Sequence, residues 1–217
     1  MRFSQTRSQA PWTLPSFSSI LTSLYPSAHG AGRGGHDEWT PIDPTTTSLA
    51  EILSSVGYET QGIVANGLIS PKYGLDQGFE SYRFGWNMES AMTDAPKVSA
   101  FVQEHTTTPW LLFWHIMDPH LPYTTEDSFR EAFTDPDYDG RFKNRRGAYV
   151  PFEVLDPRPG RRWFVHEGPP PAPDLNGGER QFVDDYYDAE LAEMDAAVGQ
   201  VLDALRASGQ WERTIIA

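Results

Sequence analysis

The sequence contains no cysteine, which excludes disulfides, thiolate nucleophiles and cysteine-based metal sites. Lysine is nearly missing: Lys72, Lys97 and Lys143 are three of seventeen basic residues, leaving fourteen arginines. Positive charge is scarce as a whole. Thirty acids give a net charge of -13, with a pI near 4.8, so association with a nucleic-acid phosphate backbone is not expected. No apolar run approaches the ~20 residues that cross a bilayer, and Met1-Arg2-Phe3-Ser4-Gln5-Thr6-Arg7 lacks the apolar stretch of a secretory signal. These absences together lead to the expectation of a cytoplasmic chain without a membrane segment. An acidic surface that avoids lysine also suits a salt-rich, halophile-like cytoplasm, where self-repulsion is screened.

What is present is a chain of 217 residues, 39% hydrophobic and 13% aromatic, long enough for one sizeable core. Ser16 to Leu24 reads as a short helix capped by Ser16 and stopped by Tyr25-Pro26, followed by a Gly- and His-rich loop over 27–37. In that loop His29 is expected to tie the loop back to the helix. Thr45 to Val56 reads as a second helix, capped by Thr47 or Ser48, with Leu49, Ile52, Leu53 and Val56 on its inner face and Gly57 at its end. Thr60 to Ala65 then reads as a strand, Asp94 to His105 as a helix, and Trp110 to Ile116 as a fully buried strand bounded by prolines. Helix and strand alternating in this way predict an α/β fold with a mixed, mostly parallel sheet flanked by helices.

From Thr124 to about Gly178 the prolines and glycines crowd in, and an irregular excursion is expected within a single domain. Asp184 to Ser208 is the clearest helix, with Tyr187, Leu191, Met194, Val198, Leu202 and Leu205 on one face. Its Asp184, Asp185, Asp188 and Glu190 read as a solvated acidic face rather than a metal cluster. Arg213 to Ala217 reads as the start of another buried strand.

Thr13 stands where a helix begins. A hydroxyl there lies near the unpaired N–H groups of the first turn and the positive end of the helix dipole, a setting that favours phosphate or sulfate. It also suits an alkoxide once a base or metal removes the proton. Taken alone, Thr13 reads first as a plain threonine at a helix start.

The surrounding residues add to this. The stretch Ala10-Pro11-Trp12-Thr13-Leu14-Pro15-Ser16, then Ile20-Leu21-Thr22-Ser23-Leu24-Tyr25-Pro26 and His29-Gly30, resembles the signature of the sulfatase family within the alkaline phosphatase superfamily. Leu49 to Tyr58, Gly78-Phe79, Asp118-Pro119-His120-Leu121-Pro122-Tyr123 and Tyr187 to Ala217 resemble further blocks of that family in the same order. The resemblance implies a hydrolase of small-molecule sulfate or phosphate esters assisted by a divalent metal (calcium, magnesium, manganese or zinc). It makes Thr13 the nucleophile and a metal ligand, and it puts His120 against the ester oxygens or leaving group, a role for a donor that titrates near neutrality. His120 as a residue that only fixes the Asp118-Pro119 turn is the alternative. His115, inside the predicted strand, is assigned to substrate binding, with a hydrogen-bonded core or rim histidine as the alternative.

The departures from the family pattern are as informative. Sulfatases carry Cys or Ser, oxidised to formylglycine, where this sequence has Thr13, whose β-carbon bears a methyl group and cannot yield that aldehyde. Phe17 stands in place of the usual Arg, and Asn66 lies where a Lys and a His contact the sulfate. The family draws its metal-binding carboxylates from an Asp pair well before the nucleophile and from a Ser-Asp-His-Gly run after the Thr-Ile-Ile strand. Twelve residues precede Thr13 and the chain stops at Ala217, so the resemblance implies a domain cut short at both ends. Asp37 and Asp43 do not match the missing pattern. A catalytically inactive remnant without the metal site is therefore the competing expectation.

Overall fold

A computed structural model describes residues 5–33, 38–85, 90–143 and 174–217. The chain divides into two compact units, the first of Met1–Glu89, Pro96–Ile116 and Asp203–Ala217, the second of Ser90–Ala95 and Met117–Leu202.

The first unit is built on three parallel strands, β3 (Glu59–Val64), β4 (Ser81–Phe84) and β5 (Trp110–His115), in the order β4-β3-β5. Val64 pairs with Phe84 on one side and with His115 on the other, so the carboxyl ends of all three strands are level. β3 is central and buried from Gly62 to Val64. Gly62 lies opposite Tyr82, whose ring atoms would come within 2.3 Å of a Cβ there; the bare glycine lets that ring lie against the strand. A separate antiparallel pair, β1 (Gly32–Arg33) and β2 (Trp39–Thr40), stands apart from this sheet. Leu14, Leu21, Ile42, Val64, Ile69 and Tyr73 form the core, with Phe79, Tyr82 and Phe113 packed against it.

Helix α1 (Thr13–Thr22) starts three residues earlier than the sequence suggests, with Trp12 as its extended N-cap. Pro15 is the reason. It occupies the first turn, where a missing N–H costs no intrahelical bond, so it belongs to the helix rather than preceding it. Ser16 is consequently not the cap. Helix α2 (Pro26–His29) follows, and His29 does tie loop to helix. Its ring is fully buried, Nδ1 accepts the Ala31 N–H at 3.0 Å, and Nε2 lies 3.0 Å from Ser19 Oγ. Because Ala31 N–H can only donate, Nδ1 is unprotonated and Nε2 carries the hydrogen given to Ser19. Burial pushes the His29 pKa down.

Helix α3 (Leu49–Ser54) carries a complete capping box: Ser48 Oγ accepts the Glu51 N–H at 3.0 Å and Glu51 Oε2 accepts the Ser48 N–H at 2.8 Å. Gln77 locks onto it, donating to both Thr46 O and Glu51 Oε2 at 2.7 Å. The expected inner face is overturned. Ala50 is the buried residue of α3, whereas Leu49, Ile52 and Val56 are exposed. The small alanine allows close approach, and the capping glutamate, held by Gln77, sets which side turns inward.

Helix α4 (Ala91–Glu104) leads into β5. In the second unit, α5 (Asp127–Phe133) gives regular structure to part of the segment expected to be irregular. The prolines from Pro157 to Pro173 lie outside the described residues. Helix α6 (Gly177–Ala207) begins seven residues before the expected start. Asn176 Oδ1 accepts the Glu179 N–H and Glu179 Oε2 accepts the Asn176 N–H, both at 3.0 Å, and this reciprocal cap overrides the paired glycines behind it. Its inward stripe runs through Phe182, Val183, Tyr186, Glu190, Glu193 and Ala197. Tyr186 is 1% exposed and Tyr187 39%, so the face is displaced from the one the apolar spacing suggests.

The expected C-terminal strand is not formed. Trp211–Arg213 make a 3-10 turn, Thr214 to Ala217 have no regular structure, and no described strand pairs with them. Gln210 anchors this end instead, donating to Val102 O at 2.8 Å and accepting from Trp110 Nε1 at 3.0 Å. Among the described residues, no helix is long and apolar enough to cross a membrane.

Candidate functional site

Thr13 is the first residue of α1 and is half-buried. The N-cap Trp12 makes no side-chain capping bond, so no Trp12 acceptor satisfies the N–H groups of that turn. One turn along the same face, Phe17 meets the strand below: its ring lies 4.8 Å from the His115 ring and 6.0 Å from Phe113, both edge-on. His115 is buried at the carboxyl end of β5. Asn66 follows the end of β3 and caps the turn Gly67–Ile69, accepting the Leu68 N–H at 2.8 Å, and α1 packs against that turn. Phe17, His115 and Asn66 therefore belong to one end of the parallel sheet in the first unit, and Thr13 precedes Phe17 by one helical turn. Ligands of open α/β sheets bind at this end. Phe17, in the position of the expected arginine, is an apolar spacer between the helix and β5. Asp43 is committed to a local turn, its Oδ1 accepting the Thr45 N–H at 2.9 Å and its hydroxyl at 2.7 Å. Asp37 lies outside the described residues.

His120 belongs to the second unit, on the segment between Met117 and Glu126. Its side chain is exposed, and its backbone N–H closes a turn onto Met117 O at 2.9 Å. Nδ1 lies 2.6 Å from Leu121 O. A carbonyl can only accept, so Nδ1 carries the hydrogen, and in the neutral ring Nε2 holds the lone pair. The peptide bonds Asp118-Pro119 and Leu121-Pro122, on either side of His120, are both cis.

The residues that hold this segment are the ones the sequence reading missed. Asp118 Oδ2 accepts the Ala91 N–H at 2.8 Å, at the start of α4. Glu190 accepts the Thr124 N–H; Glu193 accepts the Thr125 hydroxyl and, at 2.8 Å, the Glu126 N–H. Glu190 and Glu193 are each 3% exposed, which corrects the expectation that Glu190 belongs to a solvated face. Asp184 and Asp188 are exposed, in keeping with that expectation. The signal for Glu190 was available: an acid in register with Phe182, Val183 and Tyr186 sits inside an apolar stripe and needs a partner when buried. Burial pushes the Glu190 carboxyl up to about 7, against the lowering effect of the Thr124 and Thr125 N–H groups, and the Asp118 and Glu193 charges add to the rise. Burial raises Asp118 too.

An acid whose pKa is raised on folding stabilises the fold below its ordinary value, and that contribution fades as pH rises through the folded value. For Glu190 the window runs from 4.5 to about 7. Glu190→Gln keeps an oxygen that accepts the Thr124 N–H but removes the charge. It is expected to stabilise the second unit at pH 8 by about 2–3 kcal/mol and to change little at pH 4. Hydrogen exchange of the α6 amides at the two pH values checks this; a variant less stable than wild type at pH 8 would refute it.

Among the described residues no three His, Asp or Glu side chains are arranged to hold a metal ion. The buried carboxylates Glu190 and Glu193 are taken up by backbone and hydroxyl donors.

The fold has solved counterparts. The phosphonate monoester hydrolase of Agrobacterium radiobacter is 17% identical, with a TM-score of 0.62, over 94% of this chain and 52% of that one. A Bacteroides thetaiotaomicron protein from a study of glycosaminoglycan metabolism is 15% identical, with a TM-score of 0.60, over 95% of this chain and 48% of that one. A third structure, solved with its substrate D-glucosamine-2-N,6-O-disulfate, is 14% identical, with a TM-score of 0.61, over 94% of this chain and 54% of that one. At these identities the likeness is one of fold, and the chain spans about half the length of each. No curated protein matches it in sequence. The family model for sulfatases matches residues 1–217, the whole of the chain, and on that ground the protein belongs to the sulfatase family.

Proposed function

We propose that the first-unit site is an ester-hydrolysing site for sulfate or phosphate esters of small molecules, with Thr13 as nucleophile. The observation that carries this reading is the placement of Thr13 in the first turn of α1, without a side-chain cap from Trp12 and one turn before Phe17, which meets His115 at the carboxyl end of β5. A helix start in that state attracts an oxyanion and favours the alkoxide of a hydroxyl at the same place. His115 borders the site through Phe17. The role that the family resemblance gives His120, toward an ester oxygen or a leaving group, is one for an imidazole N–H donor. The net charge of -13 supports a small anionic ester rather than nucleic acid as partner, and the scarcity of lysine supports a salt-rich cytoplasmic setting.

Metal assistance fits the family, yet the described residues do not offer the several oxygen ligands a divalent cation takes. Formylglycine chemistry is excluded by the methyl group on the β-carbon of Thr13. That missing ligand set favours a second reading, in which the 217-residue chain binds the ester oxyanion without turning it over. Incubation with 4-nitrophenyl sulfate and 4-nitrophenyl phosphate, with and without magnesium, calcium, manganese and zinc, decides between them. Multiple turnovers by the purified chain support hydrolysis. Binding of inorganic sulfate or phosphate without turnover supports the second reading, and neither binding nor turnover removes both.

A further inference from the structure

The segment that carries His120 is anchored at both of its ends by acids, half-buried Asp118 on one side and buried Glu190 and Glu193 on the other. Before it, Asp118 takes the Ala91 N–H. After it, three consecutive residues are taken by α6: Thr124 through its N–H by Glu190, Thr125 through its hydroxyl and Glu126 through its N–H by Glu193. Glu190 and Glu193 are three residues apart and lie on one side of the helix, nearly inaccessible to water. Tyr123, next to the clamped residues, lies over α6 with its ring 6.2 Å from Tyr186 and nearly parallel to it.

Burying two carboxylates on one helix stripe is costly, and they repel one another. An apolar pair of similar size would pack the same stripe at less cost. What such a pair would lack is the directed acceptors that a chain without its own secondary structure needs for its N–H groups. We propose that Glu190 and Glu193 are positioning residues: by gripping Thr124 to Glu126 they set where His120 stands. The charged and titratable groups around the clamp are Asp118 on the segment itself, Asp94 on α4, Tyr123, and Asp127 and Arg130 on α5, which face Tyr186. Asp118 and Glu193 act on Glu190 with the same sign, so neither relieves it, and the loop donors are what hold it in place.

The importance of the clamp for chemistry rests on the role given to His120 above, whereas the clamp itself is read out without any turnover. In the intact 217-residue protein, amide exchange at Thr124 and Glu126 and the pH titration of the His120 ring are followed by NMR in wild type, Glu190→Ala, Glu193→Ala, Glu190→Gln and Thr125→Val. In the alanine variants, exchange at the clamped amides is expected to rise at least tenfold and the His120 ring resonances to move, with amides between Ala197 and Ala204 on α6 unchanged. Glu190→Gln, which keeps an acceptor for Thr124, is expected to restore both signals toward wild type. Thr125→Val removes only the hydroxyl held by Glu193, and serves if an alanine variant fails to fold: faster exchange at Glu126 with a shifted His120 ring supports the clamp. Unchanged exchange overturns the proposal. So does faster exchange with an unmoved His120 ring, since the carboxylates would then hold a segment without positioning its histidine. An intact clamp in a protein that neither binds nor hydrolyses the aryl esters leaves the positioning role standing and removes the function proposed for His120.

Discussion

Thr13→Ala is expected to lower aryl-ester turnover by at least about a thousandfold, with Thr13→Ser retaining activity within about tenfold of wild type. The reasoning is chemical rather than structural. Thr13 is the first helical residue, its side chain is half-buried, and the helix beyond it is held by Leu14, Ser18, Ser19 and Leu21 on the buried side. Removing a hydroxyl and a methyl group there costs within about 1 kcal/mol, because no large cavity opens and alanine is a good helix former. A loss of turnover in a variant that melts like wild type therefore reports on the hydroxyl itself. Serine keeps that hydroxyl and frees its rotation, which the threonine methyl restricts. Turnover by the alanine variant at anything near the wild-type rate would remove Thr13 from the chemistry and leave it a helix-start residue.

The largest stability effect is expected at Gly78. Its φ is +84°, and a Cβ there would sit 2.2 Å from the backbone N of Glu51 and 2.5 Å from Glu51 Cγ. Glu51 is half of the capping box of α3, and its backbone cannot retreat without breaking the bond to Ser48 Oγ. The residues around Gly78 are equally committed. Gln77 O accepts from Ser48 Oγ at 2.7 Å, and Gly78 O accepts from Thr60 Oγ1 at 2.9 Å, which links the turn to β3. Gly78→Ala is expected to cost at least about 3 kcal/mol, the sum of left-handed strain and a backbone collision with no soft neighbour to absorb it. For a chain of this size that corresponds to a fall in Tm of about 6–12 °C. Gly57 provides the control. Its φ is +90°, yet nothing lies within 4 Å of its Cβ position, so Gly57→Ala is expected to cost about 1 kcal/mol from strain alone. Equal melting temperatures for the two variants would show that the contact with Glu51 contributes nothing.

Strand β5 was legible as an apolar run bounded by prolines, although Trp110 to Trp114 are only partly buried rather than fully so, and β3 was legible from its place after a helix and a glycine. The tie between His29 and α1 was legible from spacing alone. Where the reading failed, side-chain hydrogen bonds overrode the apolar pattern. Leu49 and Ile52 of α3 point outward because Ser48, Glu51 and Gln77 fix which side faces the sheet. α6 starts early because Asn176 and Glu179 cap it despite two glycines. Glu190 passed for a surface acid because a count of apolar positions gives no weight to an acid that fills a core position by finding donors elsewhere. The motif positions Thr13, His115 and His120 were legible as residues, while the apolar contact through Phe17 and the clamp behind His120 depend on partners far apart in sequence.

The buried histidine of the first unit has a thermodynamic counterpart in the second. His29 is held neutral, with its pKa depressed by burial, so its contribution to stability is present above its ordinary value of 6.5 and is lost as the solution becomes more acidic. Glu190 acts in the opposite sense, its contribution fading as pH climbs toward 7. Protonation of His29 thus works against the fold of the first unit, and ionisation of Glu190 against that of the second. An imidazole in one unit and a carboxyl in the other respond to acid with opposite sign.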